Sequence, residues 1–173
     1  MITKLDFAIL NFIQNNISNK FADCFMRIFT HLGDYGALWI VIAVTMLMFK
    51  KTRKAGICIA VSLAADAIIG SVILKNIFAR IRPFVVENFP ILINAPSGYS
   101  FPSGHTSSSF AAATALSLHY KKYTGLFYAV AFLIGFSRVY LYVHYPSDVA
   151  AGAILGVVVA IICHRILEKY LTR

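Results

Sequence analysis

Five stretches of this chain carry almost no charge, and they constrain its fold more than any other feature. Residues 55–74 (AGICIAVSLAADAIIGSVIL) are interrupted by a single acid, Asp66. Residues 35–49, 106–120, 123–137 and 149–163 are uncharged runs of 15 residues with further uncharged neighbours. A helix needs about 17–25 mostly apolar residues to cross a bilayer, so each shorter run reaches that length with its flanks. The expected fold is therefore an all-α integral membrane helical bundle with about five transmembrane helices. A soluble helical protein would need polar surface to cover these runs. Charged residues make up only 13% of the chain and hydrophobic ones 59%, against about 25% charged in an ordinary soluble domain.

Ahead of the first run, residues 3–17 place Leu5, Ile9, Phe12, Ile13 and Ile17 at helical spacing. Residues 20–31 repeat the pattern with Phe21, Phe25, Ile28 and Phe29 against Asp23 and Arg27. Both read as amphipathic helices lying in the interface or packed on the bundle. No cleavable signal peptide is expected, because Asp6 and Asn11 interrupt the N-terminal apolar stretch. No internal repeat or linker divides the chain, so residues 1–173 are expected to form one domain. Residues 1–33 supply the amphipathic helices and 34–173 the transmembrane core.

The net charge of +9 would suit nucleic acid, but its placement does not. Lys50, Lys51, Arg53 and Lys54 share one loop, Lys121 and Lys122 another, and Arg165, Lys169 and Arg173 the tail. Hydrophobic hairpins put all of these on one side, which the positive-inside rule assigns to the cytoplasm. The expected partners are membrane lipids, not nucleic acid. Cys24, Cys58 and Cys163 are isolated in sequence and show neither metal-ligand spacing nor a disulfide framework.

With that topology, Lys75, Arg82, His105, Arg138, His144 and Asp148 all fall at the opposite, extracytoplasmic rim. Ionisable groups near lipid are costly and mark function. In KNIFARIRP a helix continued to Arg82 would bring Lys75 and Arg82 within about 20° of one face, about 10 Å apart along the axis. Taken alone, the stretch fits an anion clamp or a pair of headgroup anchors equally; Arg80, off that face, fits an anchor better. In FPSGHT, Ser103 is placed to cap a helix, and Gly104 lets an anion approach free N–H groups at its positive end. His105 sits in the first turn. An ordinary cap with an interfacial histidine is the other reading. In SRVYLYVHYPSD, Pro146 suits the first position of a helix. An aspartate in the first turn, Asp148, can then fix the tautomer of His144, or merely complement the helix dipole.

Taken together, the motifs are Lys75…Arg82-Pro83 (75–83), Pro102-Ser103-Gly104-His105 (102–105) and Ser137-Arg138…His144…Asp148 (137–148). In this order and without substitution they resemble the type 2 phosphatidic acid phosphatase (PAP2) family. The resemblance implies that Lys75, Arg82, Ser103, Gly104 and Arg138 bind phosphate. It implies that His144 attacks phosphorus, Asp148 orients it and His105 protonates the leaving oxygen. The implied reaction removes the terminal phosphate of a membrane lipid through a phosphohistidine. Small bacterial members suggest undecaprenyl diphosphate, with phosphatidylglycerophosphate and phosphatidate as competitors. No metal and no cofactor are expected, since three cations and a helix terminus can neutralise a phosphoryl group. A phosphate carrier would keep the cations without needing the histidines. Asp66 is expected to pair with a hydroxyl or stay protonated. His31, His119 and His164 belong to no motif, and Trp39 reads as a packing or belt residue. Phe84, Val85, Val86, Phe89 and Ile91, in the loop 84–101, are placed to guide a lipid tail.

Overall fold

The computed structural model describes residues 2–171, and all regular structure among them is helical. Helix α1 (Ile2–Asn16) is followed by α2 (Lys20–Leu32), whose N-terminal N–H groups of Phe21 and Ala22 are capped by the Asn19 side chain. A short 3-10 turn, Asp34–Gly36, leads into α3 (Ala37–Met48), and the chain bends by 46° between α2 and α3. Helix α4 (Arg53–Asp66) continues through a π-helical segment, Ala67–Leu74, into α5 (Lys75–Phe78). There the Lys75 N–H bonds to Gly70 O, five residues back rather than four. Such widened turns recur at functional sites. Short α6 (Pro83–Val86), central α7 (Gly104–His119), α8 (Thr124–Tyr140) and long α9 (Pro146–Leu171) complete the fold.

Three stretches are long and apolar enough to cross a membrane: Arg53–Val86, Lys121–Tyr140 and Pro146–Tyr170. The bent pair α2–α3 makes a fourth if it counts as one span. Within Arg53–Val86 the helix is unbroken only as far as Phe78. Among the five expected runs, 106–120 became the interior of the bundle. Helix α7 packs against α9, α8 and α4, and its Ala111, Ala112, Ala113 and Ala115 are wholly enclosed. Small residues make this possible. A side chain on Gly152 of α9 would sit 2.8 Å from Ser103 O, so the α7 and α9 backbones lie in close contact there. Close approach of small residues is how helices associate in lipid, where burying apolar surface provides no drive.

Some polar atoms inside this bundle are paired across helices. Trp39 is buried and donates from Nε1 to Ser109 Oγ at 2.9 Å, so it is a core residue and not a belt residue. Asp66 is buried and accepts from Ser107 Oγ at 2.9 Å, the hydroxyl partner expected for it.

Helix α1 presents an unexpected side to the bundle. Asp6, Leu10 and Ile13 are buried, whereas Leu5 and Phe12 are 63% and 59% exposed. The apolar stripe read from the sequence therefore faces outward, apart from Ile13. The cause is Asp6, which accepts from Ser147 N and Oγ and from Arg80. A buried carboxylate with three donors outweighs hydrophobic periodicity here.

Candidate active site

Three breaks in helical structure converge at one end of α7 and build a cavity of about 950 Å³. Lys75, Arg82, Gly104, His105, Arg138 and His144 all line it. Each reaches it for a local reason. Ala79 adopts φ 43, which ends α5 after Phe78. Pro83 favours extended backbone in the residue before it, and Arg82 has φ −72 and ψ 149. Lys75 and Arg82 thus do not share a helix face, as a continued helix would have required. They converge because the chain turns between them.

Arg82 is held by backbone carbonyls. Its Nε donates to Gly98 O at 2.9 Å, and its Nη2 donates to Ser97 O at 3.1 Å. Its Nη1 donates to Val143 O at 3.0 Å and lies 3.1 Å from His144 Nε2. Lys75 Nζ donates to Tyr99 O at 2.9 Å. Arg138 is buried and bonds through Nη1 to the Thr30 hydroxyl. Its Nε is enclosed without a hydrogen-bond partner among the described residues.

His144 lies in the tight turn between α8 and α9. Tyr142 has φ 61, and both Val143 N and His144 N return to Arg138 O. This left-handed closure of α8 swings His144 back over the cavity. Its Nδ1 is 3.3 Å from Ser100 Oγ, and Ser100 Oγ donates to Asp148 Oδ2 at 2.5 Å. The direct separation of His144 Nδ1 from Asp148 Oδ2 is 3.6 Å. Ser100 therefore stands between the expected partners as a relay. Asp148 Oδ2 also takes the N–H of Tyr145 at 3.0 Å, the reciprocal half of a capping box. Complete burial holds the His144 imidazole well below its usual pKa, and the charges of Arg82, Arg138 and Lys75 lower it further. Its Nε2 is thus an unprotonated nitrogen pointing at a guanidinium.

Ser103 and Asp148 are wholly buried and do not line the cavity. Ser103 stands at the N-cap of α7, but its side chain makes no cap bond; instead its hydroxyl accepts from Thr106 Oγ1 at 2.9 Å. Its N–H bonds to Asp148 O at 3.2 Å, tying the α7 and α9 starts together. The next N–H groups have no helical partner, as at any helix start.

Three contributors escaped the sequence reading. Arg80 is no lipid anchor: its Nη1 lies 2.6 Å from Asp148 Oδ1, its Nη2 2.7 Å from Asp6 Oδ2, and its guanidinium stacks 3.7 Å over the Tyr145 ring. Nothing in ARIRP distinguishes the two arginines before the turn at Ala79 is known. Ser100 lies in a loop whose path no periodicity reveals. Asp34 sits 2.9 Å from His105 Nε2 and 2.8 Å from His31 Nδ1. The turn signal HLGDYG is visible in the sequence, but its partner is not. Gly33 is needed there, because a Cβ would lie 2.8 Å from His105 Cδ2 and 2.6 Å from Ile134 Cγ2.

A cavity with three cations, a helix N-terminus and two differently paired imidazoles suits phosphoryl chemistry, and comparison with known proteins agrees. The undecaprenyl-diphosphatase of Sulfolobus acidocaldarius is 38% identical over 129 residues, covering 72% of this chain and 62% of that protein. This chain thus spans under two thirds of that relative's length. The crystal structure of Aquifex aeolicus LpxE superimposes with a TM-score of 0.82 at 29% identity, over 93% of this chain and 95% of that one. The PAP2 type phosphatidylglycerolphosphate phosphatase from Bacillus subtilis gives 0.78 at 30% identity, over 97% and 87%. The sequence pattern of the PAP2 superfamily matches residues 55–171, which include every motif above. This chain belongs to the PAP2 superfamily.

Proposed function

We propose that the protein is a lipid phosphate phosphatase that removes the terminal phosphate of a membrane lipid through a phosphohistidine at His144. One observation carries this reading. The His144 nitrogen with the free lone pair lies 3.1 Å from Arg82 Nη1, in a cavity shared with Lys75, Arg138 and His105. An anionic phosphate oxygen taken up by Arg82 is thereby delivered beside the nucleophile. Lys75, Arg138 and the Gly104 end of α7 neutralise the remaining oxygens as charge develops. His144 Nε2 forms the bond to phosphorus while the bond to the leaving oxygen breaks. His105 supplies that oxygen with a proton, and Asp34, 2.9 Å from its Nε2, favours the charged form of the ring. His105 then takes a proton from water as the phosphohistidine hydrolyses. Ser100 and Asp148 hold His144 Nδ1–H throughout. A phosphate carrier needs none of this relay.

The cavity also has an apolar side. Ile40, Val44 and Leu47 of α3 face Ala60 and Leu63 of α4 along it, a wall suited to an acyl or prenyl chain. The loop residues Phe84, Phe89 and Ile91 pack instead against the cluster around Tyr142, so the tail path is assigned to α3 and α4. Undecaprenyl diphosphate is the favoured substrate, following the name of the Sulfolobus relative. Phosphatidylglycerophosphate follows the Bacillus neighbour, and phosphatidate remains in the panel. In the membrane, α3, α4, α7, α8 and α9 form five crossings, with α1 and α2 as amphipathic helices beside them. The basic loops face the cytoplasm, and the cavity opens on the extracytoplasmic face of the cell membrane.

The test is phosphate release by detergent-purified protein in EDTA, with each of the three lipids, for wild type and His144→Ala. Release unaffected by EDTA and reduced by about 10³-fold or more in the variant is expected, fastest with the true substrate. A folded wild type that releases phosphate from none of them overturns the assignment.

A further inference from the structure

At the end of the bundle remote from the cavity, three side chains from three helices turn toward one another. Cys58 lies in the second turn of α4, His119 is the last residue of α7 and His164 belongs to the C-terminal part of α9. One potential ligand atom from each lies within 4.8 Å of the other two. Cys58 Sγ is 3.9 Å from His164 Nδ1, and the two imidazoles meet edge to face with centroids 5.2 Å apart. No spacing announces this group in the sequence, where each residue is isolated. The packing of α4, α7 and α9 creates it.

Three details separate a metal site from ordinary packing. First, His119 Nε2 is buried and has no hydrogen-bond partner among the described residues. A buried polar nitrogen left unmatched is costly, and its lone pair is available to a cation. Second, the outer nitrogen of His164, Nε2, is 3.3 Å from Glu168 Oε1. That is the carboxylate–imidazole arrangement which fixes the tautomer of a metal-binding histidine. With Nε2–H directed to Glu168, the Nδ1 facing Cys58 carries the lone pair. Third, the spacing is nearly right. Tetrahedral zinc, with bonds of about 2.3 Å to sulfur and about 2.0–2.1 Å to nitrogen, holds S···N edges of about 3.6 Å and N···N edges of about 3.4 Å. Side-chain adjustments of about an ångström close the observed cluster onto such an ion.

We propose that Cys58, His119 and His164 bind a thiophilic divalent cation of the zinc class, with Glu168 orienting His164. A thiolate with two imidazoles selects such an ion over magnesium or calcium, which take oxygen ligands. Binding displaces the Cys58 proton to solvent, leaves both imidazoles neutral and leaves the fourth position to water. Fourteen residues of α7 separate His119 from His105, about 21 Å along the helix. The ion therefore takes no part in phosphoryl transfer; it clamps α4, α7 and α9 together at the basic end.

The test uses full-length protein in detergent, stripped with chelator and titrated with Co²⁺ and then Zn²⁺, without substrate. One Co²⁺ per chain with a thiolate-to-cobalt charge-transfer band, displaced by Zn²⁺, is expected. Cys58→Ser removes the band, Glu168→Gln weakens affinity by about 10–100-fold, and Cys24→Ser and Cys163→Ser keep it. Should Cys58→Ser fold poorly, thermal unfolding of His119→Gln decides: Zn²⁺ raises the wild-type midpoint but not the variant's. Absence of the band from wild type, its persistence in folded Cys58→Ser, its loss in Cys163→Ser, or an equal zinc shift in His119→Gln each overturns the proposal.

Discussion

Arg80 Nη1 lies 2.6 Å from Asp148 Oδ1, the carboxylate oxygen that Ser100 and the Tyr145 N–H leave free. The same guanidinium reaches Asp6 on α1, so the N-terminal helix is coupled to the carboxylate behind His144. Arg80→Ala leaves both carboxylates buried with a partner missing. The expected loss is about 1.5–3 kcal/mol of stability, the scale of a charged hydrogen bond. Phosphate release should fall by about tenfold or more in kcat with little change in KM, since Arg80 positions Asp148 and does not bind phosphate. Arg80→Lys should restore only part of it, because one ammonium cannot reproduce the two-pronged contact. Steady-state kinetics with thermal unfolding decide; unchanged kcat in Arg80→Ala removes the positioning role.

Asp34 belongs to none of the three motifs, yet its Oδ1 stands 2.9 Å from His105 Nε2. If His105 is the proton donor, the carboxylate holds its charged form. Asp34→Asn should then lower kcat by about 10²-fold or more, within the range of general acid catalysis. The alkaline limb of the pH profile should move to lower pH, because the donor loses its proton more readily. An unchanged alkaline limb would separate Asp34 from the chemistry.

His144 has the opposite requirement. Its burial and the three cations around it depress its pKa well below the usual 6.5, so the ring proposed as nucleophile is neutral throughout the physiological range. The acid limb of kcat/KM should therefore lie below pH 6.5. The linkage has the same sign. Above pH 6.5 neither folded nor unfolded chain charges this ring, and its contribution to stability is intact. As pH falls toward the folded-state pKa, the unfolded chain binds a proton that the folded one refuses. Stability should fall steadily as pH drops through that window. The drop should be smaller in His144→Gln than in the wild type, as read by unfolding midpoints between pH 7 and pH 5.

How far the sequence could see this site depends on the kind of cause involved. Lys75, Arg82, His105, Arg138 and His144 were legible as motif residues because the chemistry demands those side chains near helix breaks, and Gly and Pro mark the breaks. The shared helix face of Lys75 and Arg82 failed because nothing in FAR announces a left-handed alanine at position 79. Ser100 and Arg80 were invisible for a different reason. Their roles come from tertiary placement, one on a loop and the other beyond that turn. The outward stripe of α1 shows the limit of periodicity. The buried Asp6 carboxylate and its three donors choose the face, and hydrophobic spacing alone does not.

Gly33 gives the sharpest separation of fold from function. Its φ of −87 is open to any residue, so only space forbids a side chain there. Gly33→Ala presses a methyl group against Ile134 Cγ2, at 2.6 Å, and against His105 Cδ2, at 2.8 Å. Overpacking of this kind costs about 1–3 kcal/mol, and displacing the His105 ring should also lower kcat. Ile134→Ala in the same chain relieves the first clash and leaves the second. Gly33→Ala should therefore cost less stability in the Ile134→Ala background than in the wild type, while kcat stays low. Recovery of both together would mean that Gly33 serves packing alone and that its contact with His105 is incidental to catalysis.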